Sequence, residues 1–258
     1  MSRKIIIAGN WKMNKTQAET KAFVKEFIPL VAGNTSTEIV ICPVSTCISA
    51  AAEAAKGSNV KIGAQNVHWA ENGAFTGELS AAMLKDAGAE YVIIGHSERR
   101  QYFGETDETV NKRLKAALSA GLKPMVCVGE FLQEREGGLT EKVLDTQLNG
   151  GLAGLTPEQM EKVVIAYEPV WAIGTGKTAT PAMAEETHAY IRKVLSKMFG
   201  AKTADSVRLQ YGGSMKADNA KDLVAQPDID GGLVGGASLK ADDFASIVEI
   251  AAQVKGGR

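Results

Sequence analysis

Eight short apolar segments recur along the chain, and a helical pattern separates most of them from the next. The segments are rich in β-branched residues and are apolar almost throughout, which is typical of parallel strands covered on both faces. Eight strand–helix repeats within 258 residues favour a closed (β/α)8 barrel, an α/β fold that forms one domain over residues 1–258. The predicted strands are Ile5–Ala8, Glu38–Cys42, Val60–Ala64, Tyr91–Gly95, Pro124–Val128, Val163–Tyr167, Val207–Tyr211 and Gly232–Val234.

Helix-start signals stand between these strands. Thr16 and Glu19 form a capping box, in which each side chain binds the other residue's free amide. Thr180 and Pro181 open a second amphipathic helix. The alternative fold is an open, doubly wound sheet, which would be expected to carry a glycine-rich fingerprint after the first strand. That turn contains only Gly9.

Composition excludes several classes of partner. The net charge of −1 gives no broad attraction for nucleic acid or for an anionic membrane, so an anion site must be built locally. Cys42, Cys47 and Cys127 lack metal-ligand spacing, and their odd number indicates reduced thiols and a cytoplasmic protein. The N-terminal apolar run, residues 5–9, is too short for a signal peptide or a membrane span.

The sixth predicted strand delivers one carboxylate, Glu168, at its carboxyl end, and Pro169 stops the strand there. An apolar stretch, Val170–Ile173, and a Gly-Thr-Gly-Lys segment at 174–177 follow, which is the layout of an acid–base residue with a lid attached. The end of this segment also resembles a nucleotide-binding phosphate loop. That motif needs a glycine where the chain has Trp171, so a phosphate loop is disfavoured.

Polar residues follow the other strands, and in a barrel they converge on one mouth, the side formed by the carboxyl ends of the strands. Glycine pairs at 212–213 and 235–236 resemble a phosphate cradle, although two tight turns would give the same pattern. His96 comes just before a predicted helix, whose N-terminus should lower its pKa and keep the ring neutral. His68 and His188 lack such a setting and are interpreted as structural or surface residues.

Together these segments resemble the triosephosphate isomerase family from the first strand to the last. No single motif is specific, but their order along the chain is. The matching segments are Ala8–Lys12, Gly63–Asn66, Gly73–Glu78, Gly95–Arg100, Ala166–Gly176, Tyr211–Ser214 and Leu233–Ser238.

The resemblance implies a TIM barrel that interconverts dihydroxyacetone phosphate and D-glyceraldehyde 3-phosphate through an enediolate, without a cofactor or a metal, in glycolysis and gluconeogenesis. Glu168 would be the base and His96 the neutral electrophile, which is the pairing that general enzymology attributes to this family. Lys12 would bind substrate and stabilise the enediolate, and Glu98 would support the catalytic groups. The residues that the resemblance implies for substrate binding are Asn10, Trp11, Lys12, Gly174, Ser214, Gly235 and Gly236.

The excursion at 65–80 is long for a strand–helix loop and carries Val67, Trp69 and Phe75. Apolar groups on such a loop indicate a partner surface or a fold-back onto the same barrel. The resemblance implies a homodimer in which this loop, with Thr76, reaches the neighbouring active site.

Two other functions remain open: another phosphate-binding barrel enzyme such as an aldolase, and a relative that binds ligands without catalysis.

Overall fold

Each of eight parallel strands is hydrogen-bonded to the next along the chain, and the last strand returns to pair with the first. This computed structural model describes residues 3–173 and 178–256. Ile6 of the first strand pairs with Gly231 of the last, which closes the barrel and makes the open-sheet alternative wrong. The strands are β1 Ile5–Asn10, β2 Thr37–Cys42, β3 Val60–Ala64, β4 Tyr91–Ile94, β5 Lys123–Val128, β6 Val164–Tyr167, β7 Arg208–Tyr211 and β8 Gly231–Val234.

All eight predicted strands are present, and each boundary lies within two residues of the prediction. The helices between them surround the barrel. Within the described residues they are α1 Gln17–Val31, α2 Ile48–Ala54, α3 Ala81–Asp86, α4 Ser97–Phe103, α5 Asp107–Ser119, α6 Leu132–Glu136, α7 Thr140–Gly151, α8 Pro157–Met160, α9 Pro181–Phe199, α10 Ala201–Ser206, α11 Ala217–Val224 and α12 Ala241–Gly256.

Two predicted helix starts are confirmed. The Thr16 side chain accepts from the amide of Glu19, and the Glu19 carboxylate accepts from the amide of Thr16. Thr180 caps α9, with Pro181 at its first position. None of the described helices is long and apolar enough to cross a membrane.

Successive strand residues pack into two different hydrophobic clusters, one inside the barrel and one outside it, because their side chains alternate between the two faces. Ile6 and Ala8 belong to an inner cluster with Tyr91 and Met125. Ile5 and Ile7 belong to the larger layer between the strands and the helices. The strands are thus apolar on both faces, as their sequences predict.

A buried ion network ties the amino ends of the strands together. Asp230, whose side chain is fully buried, accepts from Arg3 at 2.8 Å and from Arg192 at 3.1 Å. It also accepts from the amide of Leu209 in β7 at 3.0 Å. These bonds join the segment before β1, helix α9, strand β7 and the residue before β8, so they hold the barrel closed at the end opposite the mouth.

Candidate active site at the mouth of the barrel

The carboxyl ends of the strands surround a cavity of about 730 Å³. Eight of the predicted site residues line it: Asn10, Trp11, Lys12, His96, Glu168, Ser214, Gly235 and Gly236. Glu98 is not among the lining residues, but its carboxylate is paired with Lys12, which is. The remaining predicted residue, Gly174, lies outside the described residues.

Glu168 follows β6 directly, and its carboxylate is almost completely buried. One carboxylate oxygen, Oε2, accepts from the backbone N–H of Ser97 at 2.9 Å. The other, Oε1, lies 2.8 Å from Nε2 of His96. Burial raises the pKa of Glu168, but His96 and the Ser97 amide stabilise the carboxylate and hold the pKa below its ordinary value. Glu168 is therefore ionised and able to accept a proton near neutral pH.

His96 caps the N-terminus of α4. Its Nδ1 accepts from the backbone N–H of Glu98 at 3.2 Å, and its Nε2 faces the Glu168 carboxylate. A ring nitrogen that accepts carries no proton, so this pattern fits a neutral imidazole with its proton on Nε2.

The predicted fall in the pKa of His96 is wrong for this arrangement. Burial does lower the pKa, but the negative charge of Glu168 and its hydrogen bond raise it more, so the pKa lies above its ordinary value. The sequence predicts the helix start at His96, but it does not reveal that the buried Glu168 carboxylate contacts the ring and raises its pKa.

Lys12 is held in an unusual backbone conformation with a φ of 52°. Its N–H donates to the Asn10 side chain at 3.0 Å, and its carbonyl accepts from the Gln65 amide at 2.8 Å. Its ammonium lies 2.6 Å from a carboxylate oxygen of Glu98. Gln65, which also donates to the carbonyl of Cys42, received no role from the sequence, although it lies in a matching motif.

Trp11 lies in the wall of the cavity, but its indole ring is fully buried and packs edge-on against Phe23 at 4.8 Å between ring centres. The ring therefore supports the wall of the mouth through packing.

The two glycine segments lie on one side of the cavity. A Cβ on Gly212 would lie 2.8 Å from Cγ of Glu168, so glycine there leaves room for the carboxylate. A Cβ on Gly235 would lie 3.8 Å from Cε of Lys12, which puts the second segment beside the lysine stem. Gly236 starts a short 3-10 helix, Gly236–Leu239. Free amides at a helix start and a nearby ammonium suit a phosphate group.

The segment after Glu168 begins with a short 3-10 helix, Val170–Ala172, and is fastened to Glu130. The buried Glu130 carboxylate accepts from the indole N–H of Trp171 and from the hydroxyl of Tyr167, both at 3.0 Å. No sequence pattern assigned a role to Glu130. The predicted glycine-containing far side of the lid, residues 174–177, lies outside the described residues.

His68 and His188 are both buried and neither lines the cavity, so of the two alternatives predicted for them the structural one fits and the surface one is wrong. The three cysteines are buried and unpaired. No group of three potential ligands among residues 3–173 and 178–256 could hold a metal ion.

Known proteins match this chain over almost its whole length. The family model described as triosephosphate isomerase matches residues 5–251. The triosephosphate isomerase of Solibacter usitatus is 61% identical over 246 residues, which cover 95% of this chain and 99% of that protein. Those of Clostridium botulinum and Citrifermentans bemidjiense are 58% and 59% identical over 95% of this chain, and over 99% and 98% of their own lengths.

Proposed function

Because the chain belongs to the triosephosphate isomerase family, we propose that the mouth of its barrel carries out the family's reaction with Glu168 as the base. The chain is an isomerase that interconverts dihydroxyacetone phosphate and D-glyceraldehyde 3-phosphate, a reaction of glycolysis. The observation that carries the residue assignment is the buried Glu168–His96 pair, which lies at the same cavity as Lys12.

In the proposed mechanism, a carboxylate oxygen of Glu168 takes a proton from the carbon next to the substrate carbonyl. The C–H electron pair moves into a C=C bond, and the carbonyl oxygen becomes an enediolate oxygen. After a proton moves between the two substrate oxygens, Glu168 returns its proton to the neighbouring carbon. No oxidant or reductant is needed, because the two sugars are isomers.

His96 donates a hydrogen bond from Nε2 to the substrate oxygen in this scheme. The raised pKa of His96 depends on its contact with Glu168, and that contact must open before the carboxylate can reach a substrate carbon. Once Glu168 leaves, burial is the largest influence on the pKa of His96, and it favours the neutral ring, as does the Glu98 amide. The Glu98 carboxylate, 3.7 Å from Nδ1, attracts a proton to the ring, but this is a smaller influence than burial. A neutral donor fixed in a dry site stabilises developing oxyanion charge.

Lys12 places its ammonium near the enediolate and the phosphate. Asn10 and Gln65 hold the backbone of Lys12, and Glu98 holds its Nζ until substrate arrives. Gly235 and Gly236 offer amides to the phosphate, and Gly212 keeps space beside Glu168. The N–H of Ser214 donates to the Ala172 carbonyl at 3.2 Å, so it can bind the phosphate once that bond opens. The role of Gly174 is proposed from the family resemblance alone.

We further propose that the chain acts as a cytoplasmic homodimer through the loop that carries Thr76. Thr76 is exposed, and Phe75, Tyr102, Phe103 and Met13 are exposed by 44%, 68%, 66% and 93%. Exposed apolar groups of this size support an interaction surface. A cavity of about 420 Å³ lined by Met13 and Phe103 lies beside Gln65, which holds Lys12, so the proposed contact would support the catalytic lysine.

An assay with each triose phosphate separately, coupled to a dehydrogenase that consumes the product, tests the function. Conversion in both directions without added metal or cofactor is the expected result. Cleavage or condensation of carbon chains would instead indicate an aldolase. Phosphate-ligand binding without turnover would indicate a non-catalytic relative.

A further inference from the structure

The side chain of Gln147 binds both backbone groups of Gly129. The N–H of Gly129 donates to Oε1 of Gln147 at 2.7 Å, and Nε2 of Gln147 donates to the Gly129 carbonyl at 3.1 Å. Gln147 is on α7, and Gly129 directly follows β5. Two bonds to one residue fix both its position and its orientation, so an outer helix fixes the backbone just past the end of a barrel strand.

Gln147 occupies the place of a missing strand neighbour. The last pairing between β4 and β5 joins Ile94 to Val126, and the chain then turns away into α4. On the other side of β5, the carbonyls of Val128 and Glu130 accept from N–H groups of the segment that directly follows β6. Consecutive carbonyls of a strand point in opposite directions, so the groups of Gly129 face the side that β4 has left. Backbone groups in such a place need a partner, and Gln147 provides it.

Gly129 in turn lies against the peptide group of Glu168. A Cβ on Gly129 would lie 2.6 Å from the carbonyl carbon of Glu168 and 3.2 Å from its Cα, so no larger residue fits there. The residues on either side of Gly129 also bind the segment that contains Glu168. The N–H of Glu168 donates to the carbonyl of Val128 at 2.7 Å, and the N–H of Val170 donates to the carbonyl of Glu130 at 3.1 Å. The backbone of Glu168 is therefore packed against and bonded to residues 128–130, whose central residue is fixed by Gln147.

We propose that Gln147 is a positioning residue that sets the place of the Glu168 carboxylate through Gly129. The inference rests on the proposed role of Glu168 as the base. Proton transfer from carbon depends on the exact approach of the carboxylate, and a misplacement of about 1 Å can cost about 100-fold in rate. Phosphate binding uses other segments of the mouth and should not depend on Gln147.

The first test is Gln147→Leu, which keeps the approximate size of the side chain and removes both hydrogen bonds. We expect kcat to fall by about 10-fold or more, within the range that such misplacement causes, while KM and the inhibition constant of inorganic phosphate change less than about twofold. The matched control is Asn111→Leu. Asn111 is also half-buried and donates two hydrogen bonds to backbone carbonyls, of Gly151 at the end of α7 and of Ala153. It holds the same helix as Gln147 does but is not bonded to Gly129, so its substitution tests loosening of α7 without loss of the two Gln147 bonds. It should lower stability and leave kcat unchanged.

The second test is Gln147→Glu. A protonated carboxyl can accept from the Gly129 N–H and donate to its carbonyl, as the amide does, whereas a carboxylate can only accept and repels that carbonyl. An ordinary glutamate carboxyl titrates at about pH 4.3, so the ratio of the variant's kcat to that of the wild type should fall as pH rises from about 4 to 6, while the ratio for Gln147→Leu stays flat. A purely structural role gives no such difference between the two variants.

The outcomes separate this inference from the function on which it rests. A wild-type chain that does not isomerise triose phosphates overturns the function, and a fully active Glu168→Gln overturns the base. If the wild type is active and Glu168→Gln is not, the positioning role is overturned by a normal kcat in Gln147→Leu. It is also overturned by an equal loss of kcat in Asn111→Leu, or by the same flat pH ratio for both Gln147 variants.

Discussion

The Nε2 atom of His96 lies 2.8 Å from Oε1 of Glu168, so the proposed electrophile and the proposed base bind each other across the mouth. Each shifts the other's titration, because the ring stabilises the carboxylate and the carboxylate attracts the proton of the ring. A substrate must separate them to react. In the proposed mechanism, the contact between His96 and Glu168 is therefore a property of the free enzyme, and substrate binding breaks it.

Glu168→Gln should remove nearly all turnover. The amide keeps the volume of the side chain and can still accept from the Ser97 amide, but it cannot take a proton from carbon. Loss of a general base typically costs about 10²–10⁴-fold in rate. Steady-state kinetics should show this loss, while calorimetry with inorganic phosphate shows nearly unchanged binding. Turnover close to that of the wild type would remove Glu168 from the role of base.

The same substitution should lower the pKa of His96. In the wild type, Glu168 raises the pKa above the ordinary imidazole value of about 6.5, and an uncharged amide removes that attraction while burial remains. The fraction of imidazolium at a given pH should therefore be smaller in the variant. Nitrogen NMR of labelled histidine over a pH range measures both midpoints. His188, whose pKa is lowered mainly by burial, serves as the internal control and should not change. Equal His96 midpoints in the two proteins would contradict this coupling.

Thr76→Arg should produce an inactive monomer. If the loop enters a partner subunit, the substitution places a bulky charge without a partner in the contact, which is strongly unfavourable. Loss of the contact would then weaken the support of Lys12. Light scattering gives the mass, and a coupled assay gives the activity. Thr146→Arg, at an exposed position on α7, is the control and should leave both unchanged. A fully active monomer would disprove the link between assembly and catalysis, and a wild type that is already monomeric would disprove the dimer.

Asp230→Ala should destabilise the fold far more than the loss of an exposed ion pair. The substitution leaves the Leu209 amide without its acceptor and removes the acceptor of one Arg192 nitrogen, Nη2. Arg192 keeps its bonds to Asp228 and to the carbonyls of Ala204 and Val207. Breaking a buried ion pair typically costs about 3–5 kcal/mol. Glu53→Ala breaks an exposed pair with Lys21 and should cost at most about 1 kcal/mol. Urea unfolding of both variants at one fixed protein concentration measures the difference. Similar losses in the two variants would mean that the network contributes little to stability.

The strand pattern was predictable because most residues of the eight strands are buried, on both faces, and the strands therefore appear as runs that are largely apolar. Their ends carry the polar residues, so Asn10, His96 and Glu168 could be placed at one mouth from the order of residues along the chain. The two helix caps at Thr16 and Thr180 were also predictable, since a cap is a contact between residues only a few positions apart.

Contacts between distant parts of the chain were not predictable. Gln65, Glu130 and Gln147 act through side-chain bonds to backbone or to side chains that lie 18 to 53 positions away, and no local pattern encodes these. Val67 lies in the loop at 65–80, which is predicted to form a partner surface or to fold back. It is 1% exposed, so it packs into its own barrel, while Phe75 stays 44% exposed. The pKa of His96 was predicted in the wrong direction because the dominant charge comes from a residue 72 positions later in the chain.

The left-handed backbone at Lys12 has a consequence for how this sequence can change. Such a conformation disfavours a residue with a Cβ, and a strained position of this kind typically costs of order 1 kcal/mol or more. Glycine would adopt the same turn without that strain, so Lys12→Gly would relieve it while removing the ammonium from the mouth. On the proposed role of Lys12, stability favours glycine at this position and turnover favours lysine, so a substitution that gains the first loses the second.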